Sequence, residues 1–384
     1  MANLILAFDS FKGCLTSQQA NEAAADGIRL VLPDAELTML QMSDGGEGWI
    51  DAMMQASDAH SVVVNTTDAL FRPITARYAV TADSRTAFIE LAQASGLTSI
   101  AAHERDPMTA STYGTGVLIR HAIDAGCRTI IIGLGGSATS DCGIGLLQAL
   151  GLRLLNSQQQ ELPPTAESVS LASTLDITPL TALRHKVRFV AASDVTAPLL
   201  GPTGAARVFA PQKGATPEQV ELIEHRNRHL VSLIDKALSD MHTSEGASMA
   251  DTPGAGAAGG TAFALKSLLG ADIRPGAQIL LDAYDFDRRC SQADCIITGE
   301  GKSDSQTLLG KLPYCIMKRA EAGKTPTLLY SGQVTNREQL LQAGFSEAVA
   351  VTPPQTPEAT ALNPDFARRQ IISAIQSTLL QLLT

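Results

Sequence analysis

The chain has 384 residues, a length that predicts two domains rather than one. It is 45% hydrophobic and 18% charged, as expected of a soluble α/β protein, and its net charge of −10 argues against binding to nucleic acid or an anionic membrane. No signal-length or membrane-length apolar run occurs, and the six cysteines lack CxxC spacing. We therefore expect a cytoplasmic protein with reduced thiols and no zinc site.

The N-terminal region predicts a β-α-β unit. A buried-strand pattern at residues 4–8 precedes an amphipathic helix at 17–31 and a second strand at 36–42. Polar side chains follow both strands, and ligands in open α/β sheets bind beyond the carboxyl ends of the strands. We therefore expect one crevice to be lined by Asp9, Ser10, Lys12, Asp44 and Glu47. Alternatively, Asp44 only caps the next helix.

The pattern changes after residue 60. Alternating residues at 61–65 and 74–80 predict antiparallel strands, and buried strands are expected at 129–132 and 188–192. Simple helix and strand alternation returns near residue 295 and continues to the terminal helix from about 364. Strands near residues 4, 37, 295, 327 and 348 are therefore predicted to form one parallel set, which an antiparallel-rich middle interrupts.

The stretch at residues 128–150 is the clearest anion-binding pattern. A β-branched strand runs into GLGGSATSDCGIG and then into a helical segment. Glycine permits positive φ and close approach of a ligand, while unbonded amides and the helix dipole favour phosphate or carboxylate. Hydroxyl groups add further donors. The expected ligand contacts are Gly133, Gly135, Gly136, Ser137 and Thr139, unless this is only a turn that packs strand on helix.

Standard nucleotide signatures do not fit well. A P-loop would need glycine at Ile296 before Gly301-Lys302-Ser303, and G-x-G-x-x-A at 133–138 has no ribose-binding acid about 20 residues later. A second glycine pattern at 254–259 follows no strand. What remains is a series of glycine-rich runs beside acids, hydroxyls and single lysines, a mixture that suits phosphoryl transfer.

These motifs resemble the type-1 glycerate kinase family of bacteria, in the same order along essentially the whole chain. The sequence varies at Ser140, Cys142 and Lys302-Ser303, which leaves the acids and glycines intact. The motifs are DSFKG (9–13), DGGEG (44–48), TYGTG (112–116), GLGGSATSD (133–141), DVT (194–196), GPTGA (201–205), PQKGAT (211–216), PGAGAAGG (253–260) and GEGKSD (299–304).

The resemblance implies ATP-dependent, Mg²⁺-assisted phosphorylation of D-glycerate to 2-phosphoglycerate. It also implies a two-domain α/β protein. We expect residues 1–60 and 290–384 to form a discontinuous flavodoxin-like parallel α/β domain, and residues 61–289 an inserted mixed α/β domain with glycine-rich anion-binding loops. The oligomeric state stays open, with a homodimer among the alternatives.

The motifs name positions, and the role of each residue is a hypothesis. Asp194 is the expected general base, and Lys12 and Lys213 are expected to neutralise phosphate charge. Mg²⁺ is assigned to Asp44, Glu300 and Asp304. Glycerate is assigned to Asp9, Ser10, Gly45, Gly46 and Glu47, and ATP to Gly133, Gly135, Gly136, Ser137, Thr139, Gly254, Gly256, Gly259, Gly299 and Gly301.

Two other functions suit parts of the sequence. The G-x-G-x-x-A match suits a nicotinamide-dependent oxidoreductase acting on a small hydroxy acid. Clefts with anion-binding loops would equally suit a non-catalytic small-anion binding protein. The many acids beside the glycines argue against both, because neither site needs them.

Overall fold

A computed structural model describes residues 2–241 and 249–382 of the chain. Its strands, in chain order, are β1 (Asn3–Phe8), β2 (Glu36–Met39), β3 (Ala59–Thr67), β4 (Pro73–Thr81), β5 (Thr86–Glu90), β6 (Thr129–Gly133), β7 (Arg153–Leu155), β8 (Thr174–Asp176), β9 (Arg188–Ala192), β10 (Asp272–Arg274), β11 (Cys295–Gly299), β12 (Lys302–Ser303), β13 (Thr327–Ser331), β14 (Gln333–Val334) and β15 (Glu347–Ala350).

The α-helices, in the same order, are α1 (Ser17–Val31), α2 (Trp49–Ser57), α3 (Ala92–Ser95), α4 (Tyr113–Asp124), α5 (Ile144–Ala149), α6 (Ser168–Leu171), α7 (Thr178–Arg184), α8 (Ala205–Phe209), α9 (Pro217–Asp240), α10 (Ala257–Leu269), α11 (Gly276–Ala283), α12 (Phe286–Cys290), α13 (Leu312–Gly323), α14 (Arg337–Ala343), α15 (Glu358–Ala361) and α16 (Pro364–Leu382). Short 3₁₀ helices lie at Ala102–Glu104, Pro211–Lys213 and Thr307–Leu309.

The chain divides into two compact units. Unit 1 comprises the described residues of Met1–Asp44, Asp51–Ser57 and Gly276–Thr384, and unit 2 those of Gly45–Ile50 and Asp58–Pro275. The sequence placed the divisions at 60/61 and 289/290 instead. Residues 45–50 therefore group with the middle of the chain, and residues 276–289 with its ends.

Unit 1 contains a five-stranded parallel sheet in the order β15-β13-β11-β1-β2. Counted within this sheet the order is 2-1-3-4-5, as in flavodoxin-like folds. Strands β1 and β11 are apolar and buried on both faces, because helices cover both sides. The predicted parallel set of strands is confirmed.

Helix α1 begins at a capping box, in which the side chains of Thr16 and Gln19 satisfy each other's backbone N–H groups. Its buried face is rich in alanine and packs on α16. The two helices approach closely at Gly27, where a Cβ atom would lie 3.0 Å from the carbonyl oxygen of Ile372. The predicted span of 17–31 is confirmed.

Unit 2 contains a six-stranded sheet in the order β10-β9-β6-β5-β4-β3. The hairpin β3–β4 is antiparallel, as expected, and so is the pair β4–β5, but β5, β6, β9 and β10 are parallel. The interpretation of the middle as antiparallel-rich is therefore wrong for this half of the sheet. Short strands such as β10 gave too little periodic signal to be recognised in the sequence.

The α/β class predicted from the sequence is confirmed. All six cysteines are free thiols. Among the residues that the structure describes, no helix is both long and apolar enough to span a membrane.

Gly299 at the end of β11 provides a test of the unit 1 sheet. A Cβ atom there would lie 1.7 Å from the carbonyl oxygen of Tyr330, whereas at Gly301 the nearest atom is 3.7 Å away. We expect Gly299→Ala to lower the free energy of unfolding by at least about 1–3 kcal/mol, because the backbone of the neighbouring strand must move. Urea denaturation would measure it.

Gly301→Ala is the matched control, two residues along the same segment. Its effect should stay within about 0.5 kcal/mol. Equal stability of the two variants would contradict the packing described for β11 and β13.

Candidate active site

Acidic side chains gather at the carboxyl ends of neighbouring strands in unit 1. Asp9 follows β1, Asp44 lies after β2, and Glu300 follows β11. The ammonium group of Lys12 lies 3.7 Å from a carboxylate oxygen of Asp44. We call Asp9, Asp44, Glu300 and Asp304 the acidic cluster. The parallel arrangement of the strands brings these separate sequence motifs together.

Asp9, in the acidic cluster, has a raised pKa. Burial and the negative charge of Asp44 raise the pKa of Asp9 from 3.8 to about 8, although the backbone N–H of Ser10 donates to its carboxylate at 2.7 Å. The same field raises the pKa of Lys12, chiefly through Asp44. Asp9 is therefore protonated in much of the population near neutral pH, and Lys12 stays charged.

Glu300 is held by three donors. Its Oε1 accepts from Ser303 Oγ at 3.0 Å and Thr307 Oγ1 at 2.7 Å, and its Oε2 lies 3.2 Å from Lys311 Nζ. Thr307 also accepts from the backbone N–H of Asp304 at 3.0 Å. These contacts fix the Glu300 carboxylate and the turn that carries Asp304.

Among the described residues, no group of three or more His, Cys, Asp or Glu side chains forms a ready metal site. A kinase Mg²⁺ ion, however, is usually held by one or two carboxylates together with water and substrate phosphates. Asp44 retains 36% of its side-chain exposure, whereas Glu300 retains 9%. The chemistry of these donors fits a partial Mg²⁺ shell, for which Asp44 would be the more accessible carboxylate.

Unit 2 carries the glycine-rich stretch between β6 and α5, residues 134–143, which we call the central loop. The segment at Gly45–Gly46 lies directly against it, and Gly135 N–H donates to Gly45 O at 2.9 Å. A Cβ atom at Gly135 would lie 2.4 Å from Gly46 Cα. The missing side chain at Gly135 thus lets two backbone segments touch.

The second glycine-rich run also packs on the central loop. A Cβ atom at Gly259 would lie 2.3 Å from Thr139 O, and Cys142 N–H donates to Gly259 O at 3.2 Å. Gly259 adopts a φ of 64°, so its conformation and its surroundings both require glycine. Two motifs about 120 residues apart in sequence therefore form one surface in unit 2.

Lys213 lies beneath this surface and is only 1% exposed. Its Nζ donates to Ser137 Oγ at 2.8 Å and to Thr139 O at 2.5 Å. Burial lowers the pKa of Lys213 from 10.5 to about 8, partly offset by Asp141. Lys213 thus places a buried positive charge in contact with the central loop.

Arg226 is a further member of this site, which the sequence motifs do not include. Its guanidinium is buried, and Nη2 donates to Ser140 O at 2.5 Å. The feature of the sequence that could have indicated its burial is its position on α9, between the buried Ile223 and Leu230. Asp141 accepts hydrogen bonds from the backbone N–H groups of Thr112, Gly143 and Gly145, so it stabilises the N-terminal ends of α4 and α5.

Asp194 is half-buried and comes two residues after β9. Ser193, between them, is fixed because its N–H donates to Arg274 O at 2.9 Å. Gly256 packs on the following segment, since a Cβ atom there would lie 2.4 Å from Pro198 O. A rigid strand and a closely packed loop thus define the position of Asp194 within unit 2.

The structure separates the predicted site residues into two groups. Unit 1 holds Asp9, Ser10, Lys12, Asp44, Gly299, Glu300, Gly301 and Asp304, and unit 2 holds Gly45, Gly46, Glu47, Gly133, Gly135, Gly136, Ser137, Thr139, Asp194, Lys213, Gly254, Gly256 and Gly259. Glu47, predicted beside Asp44, is exposed and belongs to unit 2.

Comparison with known proteins gives a consistent result. The sequence profile of the glycerate kinase family matches residues 4–381. Glycerate kinase of Bacillus subtilis (strain 168) is 38% identical over 92% of this chain and 91% of its own length, and glycerate 2-kinase of Escherichia coli (strain K12) is 36% identical over 87% and 86%. A crystal structure from Salmonella typhimurium LT2, provisionally assigned as glycerate kinase 2, superposes with a TM-score of 0.83 at 36% identity, over 99% of this chain and 98% of that one.

The raised pKa of Asp9 predicts a pH-dependent stability. The folded protein holds this proton up to about pH 8, whereas the unfolded chain releases it above pH 3.8. The tighter proton binding stabilises the folded state fully below pH 3.8. This stabilisation is lost as the pH rises towards 8. Asp9→Asn removes this dependence. We expect its free energy of unfolding, relative to the parent protein, to rise by at least about 1 kcal/mol between pH 5 and 8.5.

Urea denaturation at several pH values would measure this difference. Asp34→Asn, in the exposed turn between α1 and β2, is the control and should follow the parent protein at every pH. Parallel curves for Asp9→Asn and the parent protein would exclude a raised pKa.

Proposed function

The chain belongs to the glycerate kinase family, and we propose that it transfers the terminal phosphoryl group of ATP to D-glycerate, which gives ADP and 2-phosphoglycerate. The observation that carries this proposal is the central loop of unit 2, whose backbone a buried lysine holds in place. The match to the family over residues 4–381 supports the same substrates.

Phosphoryl transfer needs little covalent chemistry from the protein. The attacking and leaving oxygens must be held in line, and charge on the transferred group must be neutralised. Fixed backbone amides and buried cations do this well, because they need not reorganise as charge develops. The features of both units suit this requirement.

In unit 2, the central loop supplies backbone N–H groups and the Ser137 hydroxyl for the phosphates of ATP. Lys213 acts from behind the loop, since its ammonium contacts Ser137 Oγ and Thr139 O and is almost fully buried. Its charge lowers the free energy of phosphate binding, and its hydrogen bonds keep the loop in one conformation. Gly136, with a φ of 71°, permits the turn that begins the loop.

In unit 1, Asp44 is the principal Mg²⁺ ligand of the proposal, with Glu300 and Asp304 as supporting acids. When bound, Mg²⁺ would neutralise phosphate oxygens and orient them. The chain itself sets the charge of this site: Lys311 balances Glu300 at 3.2 Å, and Lys302 lies 3.3 Å from Asp304. Lys12, with an exposed side chain and a raised pKa, neutralises the remaining negative charge.

We assign glycerate to Asp9, Ser10, Gly45, Gly46 and Glu47. Asp9 supports this assignment because a protonated carboxyl donates a hydrogen bond to a hydroxyl or carboxylate oxygen, whereas an ionised one would repel the substrate's carboxylate. Asp194 serves as the general base for the secondary hydroxyl. Its place after a buried strand fixes its geometry, as a base requires.

The nicotinamide-dependent alternative has less support. The glycines of the G-x-G-x-x-A pattern contact Gly45–Gly46, and Ser137 in the same pattern contacts Lys213. These contacts account for the pattern without a dinucleotide. A binding protein without catalysis would leave Asp194 and the acidic cluster without a role.

Incubation with D-glycerate, ATP and Mg²⁺ tests the proposal directly. We expect ADP and a new phosphomonoester whose phosphorus-31 signal is a doublet, because the phosphate of 2-phosphoglycerate couples to one carbon-bound proton. A triplet would instead indicate phosphorylation of the primary hydroxyl. Chelation of Mg²⁺ should abolish product formation. No phosphorylated product, together with glycerate-dependent reduction of NAD⁺, would refute the kinase proposal.

Asp194→Asn tests the general base. The substitution keeps the shape and removes the proton acceptor, so kcat should fall by about 10²–10⁴-fold while ATP binding persists. Steady-state kinetics and the circular dichroism spectrum would separate catalysis from folding. Asp124→Asn, at the exposed end of α4, is the control and should keep kcat within about twofold. A folded Asp194→Asn protein with normal kcat would show that another group accepts the proton.

A further inference from the structure

A cavity lies in unit 2, at the amino ends of the strands. Its volume is about 410 Å³, and it is formed where β6 and β9 begin and where α7 and α10 end. The buried residues Phe189 and Leu269 are among those that line it. A volume of this size is typical of sites for small molecules, which usually span about 300–1,000 Å³.

The rim of this cavity is strongly basic. Its charged or titratable side chains are Arg128, Arg184, His185, Lys186 and Arg188, and no Asp or Glu is among the described residues that line it. The whole chain carries a net charge of −10, so this concentration of positive charge is local and opposite in sign to the rest. We call it the basic cavity.

Neighbouring groups satisfy part of this charge. Arg128 Nη1 donates to Cys127 O at 2.9 Å, and Arg188 Nη2 lies 3.3 Å from Asp272 Oδ2. A guanidinium has five N–H donors, and the Arg188–Asp272 pair is exposed and therefore weak. The carbonyl ends of α7 and α10 also favour cations, but their partial charges are well below the four formal positive charges gathered here.

The position of the basic cavity separates it from the proposed active site. Thr129 pairs with Arg188 and Gly133 with Ala192, so the parallel strands run from the basic cavity to the central loop and Asp194. Four residues of strand span about 13 Å. An anion in the basic cavity would therefore not be the phosphoryl donor or acceptor of the reaction.

We propose that the basic cavity is a second anion-binding site, which takes a small molecule that carries two or more phosphoryl charges. Arginine forks match phosphate oxygens in pairs, and Lys186 adds a flexible point charge at the rim. The small volume of the cavity favours a compact ligand over an extended polymer. This proposal does not depend on the proposed kinase function.

Isothermal titration with pyrophosphate, at about 50 mM salt to limit screening, tests the proposal. We compare the parent protein with the double variant Lys186→Gln/Arg188→Gln. The control Lys236→Gln/Arg153→Gln removes the same charge from exposed positions elsewhere in unit 2. We expect pyrophosphate affinity at one site to fall about tenfold in the first variant and to stay within about twofold in the control.

Equal loss in both variants would mean a general charge effect and would overturn the site. Unchanged binding in Lys186→Gln/Arg188→Gln, or no binding to the parent protein, would overturn it as well. Citrate and a single-stranded oligonucleotide are the comparison ligands. Preferential binding of either over pyrophosphate, with sensitivity to Lys186→Gln/Arg188→Gln, would overturn the phosphorylated small-molecule class. Thermal melting of all variants would verify that they are folded.

Discussion

The buried ammonium group of Lys213 is the interaction on which the central loop depends. A charge with almost no access to water is tolerable only where polar groups solvate it, and Ser137 Oγ and Thr139 O do so here. Arg226 holds the next carbonyl, that of Ser140, from α9. Two buried cations thus hold consecutive carbonyl groups of one loop. The carbonyls accept hydrogen bonds from these cations, and the contacts fix the backbone of the loop.

In unit 1, by contrast, the acidic cluster gathers negative charge. Parallel strands bring Asp9, Asp44 and Glu300 to one edge of the sheet, although like charges repel at such separations. The protein reduces this repulsion by protonating Asp9 and by placing lysines beside Asp44 and Glu300. A bound divalent cation would offset the negative charge that remains. The carboxylate donors of the acidic cluster thus suit the proposed binding of Mg²⁺.

Glycine residues allow backbone segments of unit 2 to pack against each other. The sequence predicted that the glycines allow a ligand to approach the backbone, but at Gly135 and Gly259 the approaching group is another segment of the same chain. Because glycine has no side chain, three loops pack backbone against backbone at these points. This packing restricts the conformational freedom of each loop. Fixed loop geometry is what stabilisation of a transferring phosphoryl group requires.

The sequence by itself determined the α/β class, the parallel strand set of unit 1, the bounds of α1 and β9, and the family. Apolar periodicity and capping act within a few residues, so they can be recognised locally. Only the tertiary structure revealed that Lys213 is buried against Ser137, that Arg226 belongs to the same loop, and that β5, β6, β9 and β10 run parallel. Burial, pKa and strand order depend on which distant segments meet, and that is decided by the packing of the whole chain.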